Sequence, residues 1–213
     1  MSLKPPPEPR RHCDRIPRIR IIASQAWFRI CASHHDTPIH YGRTAKNRFD
    51  DPNRRFGVLY LADSVDCAFA ETFGHGIAQR FSPTDDKTLS LSDLRHRQVW
   101  QLRPYRNLTV VDLVGDGVAR LNLDGTINTR PERALPQQWA AWFHSCRTRK
   151  RRIDGILYPS RHLPAGRCLA VFEPNPPGWR ARRGGALDAW ADPQTGRTIW
   201  NVLDAQGWGV SLL

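Results

Sequence analysis

The chain is poor in the patterns that would announce a familiar chemistry. It has no Cys-x-x-Cys pair, and its five cysteines, Cys13, Cys31, Cys67, Cys146 and Cys168, are odd in number and widely spaced. That pattern argues against a disulfide framework and against a zinc ribbon, so a reducing cytoplasm is expected. No run of 18 apolar residues occurs, and the Pro- and Arg-rich start lacks an apolar segment, which leaves neither a transmembrane helix nor a secretory signal to propose. The phosphate-loop pattern G-x-x-x-x-G-K-[ST], the nucleophile elbow G-x-S-x-G and the zinc motif H-E-x-x-H are absent. Gly115-Asp116-Gly117 begins a dinucleotide fingerprint, but Arg120 stands where its third glycine belongs. His34, His35 and His40 share an irregular stretch with no cysteine or carboxylate triad beside them, so they read as loop histidines and no metal is expected. Ser160 and His162 lack an orienting acid in the sequence, which argues against a serine hydrolase.

What is present begins with size and charge. At 213 residues the chain is long enough to bury one proper core. Its net charge of +12 comes from 32 basic and 20 acidic residues. Such an excess, with eight Trp, raises a nucleic-acid-binding module as one function class. The charge is concentrated at the start, on Lys4, Arg10, Arg11, Arg15, Arg18 and Arg20, and again at Arg147, Arg149, Lys150, Arg151 and Arg152. A tail and a helix end suit solvated surface or an acidic partner better than a groove reader, so nucleic acid is not expected as a direct ligand. With Pro5, Pro6, Pro7 and Pro9 added, residues 1–20 read as a flexible basic arm and residues 21–213 as a single domain.

The periodicities mix strands and helices without regular βαβ alternation, which predicts an α+β fold: a mixed, largely antiparallel β core with flanking helices. Strands are predicted at residues 26–32, 56–62, 108–113, 155–158 and 168–172. Residues 34–55 form a long polar loop, the kind that carries function in compact domains. Asp63 or Ser64 caps a helix whose apolar stripe is Val65, Ala68, Phe69 and Phe73, with Gly74 and Gly76 ending it and Glu71 off the stripe. A second helix opens near Pro131 or Pro136, with Leu135, Trp139, Trp142 and Cys146 along its seam, and a last one lies near residues 198–205.

The block YGRTAKNRFDDPNRRFGVLYLADSVDCAFAETFGH, Tyr41 to His75, resembles the RES family: a G-R and R-F loop, a strand ending L-Y-L-A, then a helix of the A-F-x-E-T-F type. DGILYPSRH, Asp154 to His162, is similar to the family's Ser-bearing strand end, and residues 130–142 to its central helix. The likeness covers roughly residues 24–175. It implies a fold like that of the ADP-ribosyltransferases (diphtheria-toxin-like) and an NAD-consuming toxin of a toxin–antitoxin system. Such a toxin would act as an NAD glycohydrolase or phosphorylase, or as a protein ADP-ribosyltransferase through the same site. It also implies a cognate antitoxin with an acidic or active-site-blocking segment. Carried over by residue, it makes Glu71 the essential carboxylate, Arg29 and Arg48 the grips on phosphates and ribose, Tyr60 the ring against nicotinamide and Ser160 the organiser of the site. Ile30 and Phe49 stand where many members carry Tyr and Trp, which bears on substrate detail rather than on fold. A copy that keeps the fold without catalysis is a third class, and the intact Glu71 and Arg29 positions count against it.

The residue types suit those roles. Arg is always charged and presents a planar fork of donors that can clamp a pyrophosphate. Breaking the nicotinamide–ribose bond develops positive charge on the sugar, as in glycoside cleavage, and a fixed carboxylate stabilises it.

Overall fold

The computed structural model describes residues 4–8, 13–75, 77–82, 85–148, 151–173 and 178–212. Gly76, Pro9 to Arg11, Arg149 and Lys150, all used in the sequence reading, lie outside them.

Among the described residues twelve strands run in chain order: β1 (Arg18–Ile21), β2 (Trp27–Ala32), β3 (Val58–Ala62), β4 (Lys87–Ser90), β5 (Arg97–Pro104), β6 (Leu108–Asp112), β7 (Arg147–Thr148), β8 (Arg151–Arg152), β9 (Gly155–Pro159), β10 (Arg167–Phe172), β11 (Trp179–Ala186) and β12 (Trp208–Ser211). Eight of them form one sheet in the order β1-β6-β9-β10-β3-β2-β5-β11. Every pairing in it is antiparallel except β6 with β9. The α+β class with a largely antiparallel core is therefore what the chain adopts.

The central strands are continuous apolar runs because both faces of the sheet are covered. Strand alternation sends Val58 and Ala62 of β3, with Ile30 of β2, into a core shared with the helices, among them Phe69, Trp139 and Phe143. Leu59, Leu61, Trp27 and Cys31 go to a second core on the other side, against which Ile39 and Tyr41 of the long loop pack. Between β2 and β3 the pairing is brief, a single Phe28–Ala62 pair.

The helix α1 (Val65–Phe73) follows β3 directly. Ser64 caps it, its side chain accepting from the Cys67 N–H, and Val65, Ala68, Phe69 and Phe73 are all buried as the stripe predicts. The second predicted helix runs Ala134–Ser145, so Pro136 sits in its first turn, where no intrahelical N–H bond is lost. The last helix is Ile199–Ala205, closed at its start by a capping box from Thr198 and Asn201.

Two expectations are corrected. The chain before residue 21 takes part in packing: Cys13–Arg15 make a 3-10 turn, Ile16 is buried and β1 pairs along β6. The Trp139 Nε1–H also donates to the Lys4 carbonyl at 2.9 Å. The second correction concerns the cysteines, since Cys13 and Cys146 form a disulfide across 133 residues while Cys31, Cys67 and Cys168 are free and buried. Among the described residues no helix is long and apolar enough to cross a membrane.

Candidate active site

The loop between β2 and β3 is organised by one buried carboxylate. Asp50 accepts from Thr44 Oγ1 (2.9 Å), from the Lys46 and Asn47 N–H groups (3.1 and 3.0 Å) and from the Tyr60 hydroxyl (2.9 Å). Gln137, on the Ala134–Ser145 helix, holds the same loop by donating to the carbonyls of Ala45 (2.8 Å) and Asn47 (2.9 Å). Asp51, next to Asp50, is taken by Arg55 at 2.9 Å. Both acids are thus committed elsewhere, and Arg48, just before them in the loop, bonds instead to the carbonyls of Arg130 (2.6 Å) and Ile127 (3.4 Å). Burial lowers the pKa of Arg48, and the nearby positive charges of Arg161 and Arg133 press it the same way. A cluster of guanidinium groups that repel one another is a standing attraction for an anion.

Glu71 lines the same cavity as this cluster. It lies off the buried stripe of α1, half exposed at the flank, and is reached from the end of β9. Ser160 Oγ donates to Glu71 Oε1 at 2.6 Å and the Arg161 N–H donates to the same oxygen at 3.1 Å. The buried Ser160 Oγ in turn accepts from the His162 and Leu163 N–H groups at 3.1 and 2.9 Å. One hydroxyl therefore shapes a turn and orients a carboxylate.

Arg29, Arg48, Tyr60 and Glu71 line one open cavity of about 310 Å³. Ser160 does not line it and acts through Glu71. Arg29 occupies a register position like those of Trp27 and Cys31, and its guanidinium donates to the Pro38 carbonyl at 2.6 Å. Burial lowers its pKa. Tyr60 is a wall residue whose hydroxyl is engaged by Asp50 and by the Phe49 N–H (3.1 Å), and burial, then the Asp50 charge, pushes its pKa well up.

The cavity also holds residues the sequence reading did not single out: Asn128, Arg133, Tyr158, Arg161 and His75. Their signal in the sequence is slight. Arg161 and Tyr158 lie within the quoted Ser-bearing motif and His75 closes the quoted Tyr41 to His75 block, but only folding brings these elements to one cavity with Asn128 and Arg133. His162, weighed in the sequence only as a partner of Ser160, belongs to the cavity as well. Burial lowers its pKa, opposed by Glu71 and reinforced by His75 and Arg161.

A carboxylate, several guanidinium groups and aromatic side chains lining one cavity suit a ligand that carries phosphate, a sugar and a flat ring. Comparison with known proteins adds to this geometry. No curated protein matches the sequence. Among solved structures, a chain of the M. tuberculosis MbcT–MbcA toxin–antitoxin complex superposes with a TM-score of 0.53 at 20% identity, over 76% of this chain and 84% of that one. At that identity the likeness concerns the fold. The family model of the RES domain matches residues 26–193, from the start of β2 to beyond β11, and takes in every residue of the cavity; the chain belongs to the RES domain family.

Proposed function

We propose that this chain cleaves the bond between nicotinamide and ribose in NAD, passing the ADP-ribosyl group to water or phosphate, and that it is the toxin of a toxin–antitoxin pair. The observation that carries the reading is the fixed carboxylate of Glu71, held by Ser160 and the Arg161 N–H in a cavity that Arg29, Arg48, Arg133 and Arg161 also line. As nicotinamide leaves with the bonding electrons, positive charge grows on the ribose. A carboxylate already oriented meets that charge without reorganisation, which is worth several kcal/mol. The pyrophosphate goes to Arg48 with Arg133 and Arg161, and Arg29 adds its charge from the strand wall. Tyr60 lies against the nicotinamide ring, its hydroxyl tied to Asp50 so that the ring cannot swing. The cavity is at the small end of ligand sites, roughly 300–1,000 Å³. It therefore suits the nicotinamide riboside end of the dinucleotide and leaves the adenosine at the open mouth.

The same site would serve a protein ADP-ribosyltransferase if a side chain took the place of water. The M. tuberculosis structure is of a toxin with its antitoxin, and the charge of +12 here fits a partner that is acidic or blocks the cavity. NAD as substrate places the activity in the cytoplasm, where reduction would open the Cys13–Cys146 bridge. The test is to incubate the purified chain with NAD and follow free nicotinamide, with and without phosphate and with candidate acceptor proteins. Release is expected, and release that requires an acceptor protein would select the transferase. No release under any of these conditions refutes the reading.

A further inference from the structure

Glu71 lies in the last turn of α1 and His75 just past its C-cap, Gly74. His162 reaches them from the turn after β9. That turn comes so close because Gly74 has no side chain: a Cβ there would stand 2.7 Å from His162 Cγ. As a result, one ligand atom from each of Glu71, His75 and His162 lies within 4.8 Å of the other two.

Two imidazoles and a carboxylate are the protein donors of many open zinc sites, with metal bonds of about 2.0–2.2 Å. Ligand atoms around a tetrahedral ion at those lengths are roughly 3.3–3.5 Å apart. Reaching that spacing from the observed grouping takes side-chain rotation, and His75 is exposed. The donors are also available. Glu71 uses only Oε1 in hydrogen bonds among the described residues, leaving Oε2. His162 Nε2 is buried without a hydrogen-bond partner, an unsatisfied group that a bound ion or water would relieve.

We propose that Glu71, His75 and His162 bind a divalent transition-metal ion of the zinc type, and that this ion and NAD exclude one another. The exclusion rests on the function proposed above, because an ion on Glu71 occupies the carboxylate that faces the ribosyl charge. The metal is then an inhibitor of the site, not a participant in the reaction.

The test titrates Zn²⁺ calorimetrically into the chelator-treated full chain and repeats the titration with Co²⁺, followed by visible absorption. One equivalent is expected, with affinity at least tenfold weaker in His75→Ala and in His162→Ala, and weaker again in the presence of a non-cleavable NAD analogue. The exposure of His75 keeps its replacement from disturbing the core. Absence of a one-equivalent isotherm, or unchanged affinity in His75→Ala, overturns the site. Unchanged Zn²⁺ affinity under saturating analogue overturns the exclusion. Nicotinamide release by the chelator-treated wild type is read separately. Zinc bound with no release removes the proposed activity and leaves the metal site standing, and release without zinc binding does the reverse.

Discussion

Ser160 and Glu71 are 89 residues apart in the chain and 2.6 Å apart in space, joined by a hydrogen bond from hydroxyl to carboxylate. The pairing separates two roles that motif likeness leaves merged. Glu71 faces the cavity, and Ser160 sets its orientation from behind. Replacing Glu71 by Gln keeps an acceptor for Ser160 Oγ and the Arg161 N–H but removes the negative charge. Nicotinamide release should fall by about 10²–10³ with the melting temperature unchanged. A variant that turns over like the wild type would remove Glu71 from the reaction.

Ser160→Ala should behave differently. It takes away the acceptor for the His162 and Leu163 N–H groups as well as the bond to Glu71, so stability should drop by about 1–3 kcal/mol in urea unfolding. Turnover should decline by about 10- to 100-fold through misplacement of the carboxylate, mainly in kcat. Loss of stability with kcat intact would make Ser160 a turn residue only.

Arg48 carries a prediction about binding. Among the described residues its donors meet only backbone carbonyls, and burial and then its positive neighbours lower its pKa, so an incoming pyrophosphate gains a partner without displacing a salt bridge. Arg48→Ala should raise KM for NAD by about tenfold or more, consistent with the loss of a charge-assisted hydrogen bond, and leave kcat comparatively unchanged. Equal effects on kcat and kcat/KM would instead place Arg48 in the transition state alone.

Gly74 has an ordinary helical φ of −70°, so its importance is one of space rather than conformation. A Cβ would stand 2.3 Å from the Ala70 carbonyl oxygen and 2.7 Å from His162 Cγ. Gly74→Ala should therefore push the Ser160–His162 turn away from α1, costing about 1–3 kcal/mol. Calorimetric melting should show it, and nicotinamide release should fall with it. An unchanged melting temperature would mean that the turn yields freely and that its closeness is not enforced here.

How much of this was legible beforehand follows from where each signal resides. The apolar stripe Val65, Ala68, Phe69 and Phe73 is a local pattern, so both α1 and the position of Glu71 off that stripe could be read directly. Strand β3 was legible because both its faces are buried. Strand β11, at the edge of the sheet, was not: beyond Trp179 its residues are exposed, so Arg180, Arg182 and Arg183 show no alternation to detect. The interruption of β5 by Gln98, Gln101 and Arg103 hid that strand similarly. The bridge between Cys13 and Cys146 spans 133 residues, and no spacing rule reaches that far. Arg133 and His75 share the cavity only because separate elements converge, which their immediate neighbours in sequence cannot show.

The last prediction concerns pH and a residue away from the cavity. His144 stacks on Phe56 at a centroid distance of 3.8 Å, with Nε2 3.0 Å from the Glu173 carbonyl oxygen. Burial lowers its pKa; the Glu173 carbonyl opposes this, and the charge of Arg152 adds to the lowering. Between that lowered value and the ordinary one of about 6.5, the unfolded chain binds a proton that the folded chain refuses. The contribution to stability is thus fully present above about pH 6.5 and is lost as the pH falls toward the folded-state pKa. Urea unfolding at several pH values from about 5 to 7.5 should show stability rising with pH, and His144→Gln, whose amide can still donate to Glu173 but does not titrate, should flatten part of the rise. An identical pH profile in the variant would show that His144 protonates equally in both states, and the burial argument for its neutral form would fail.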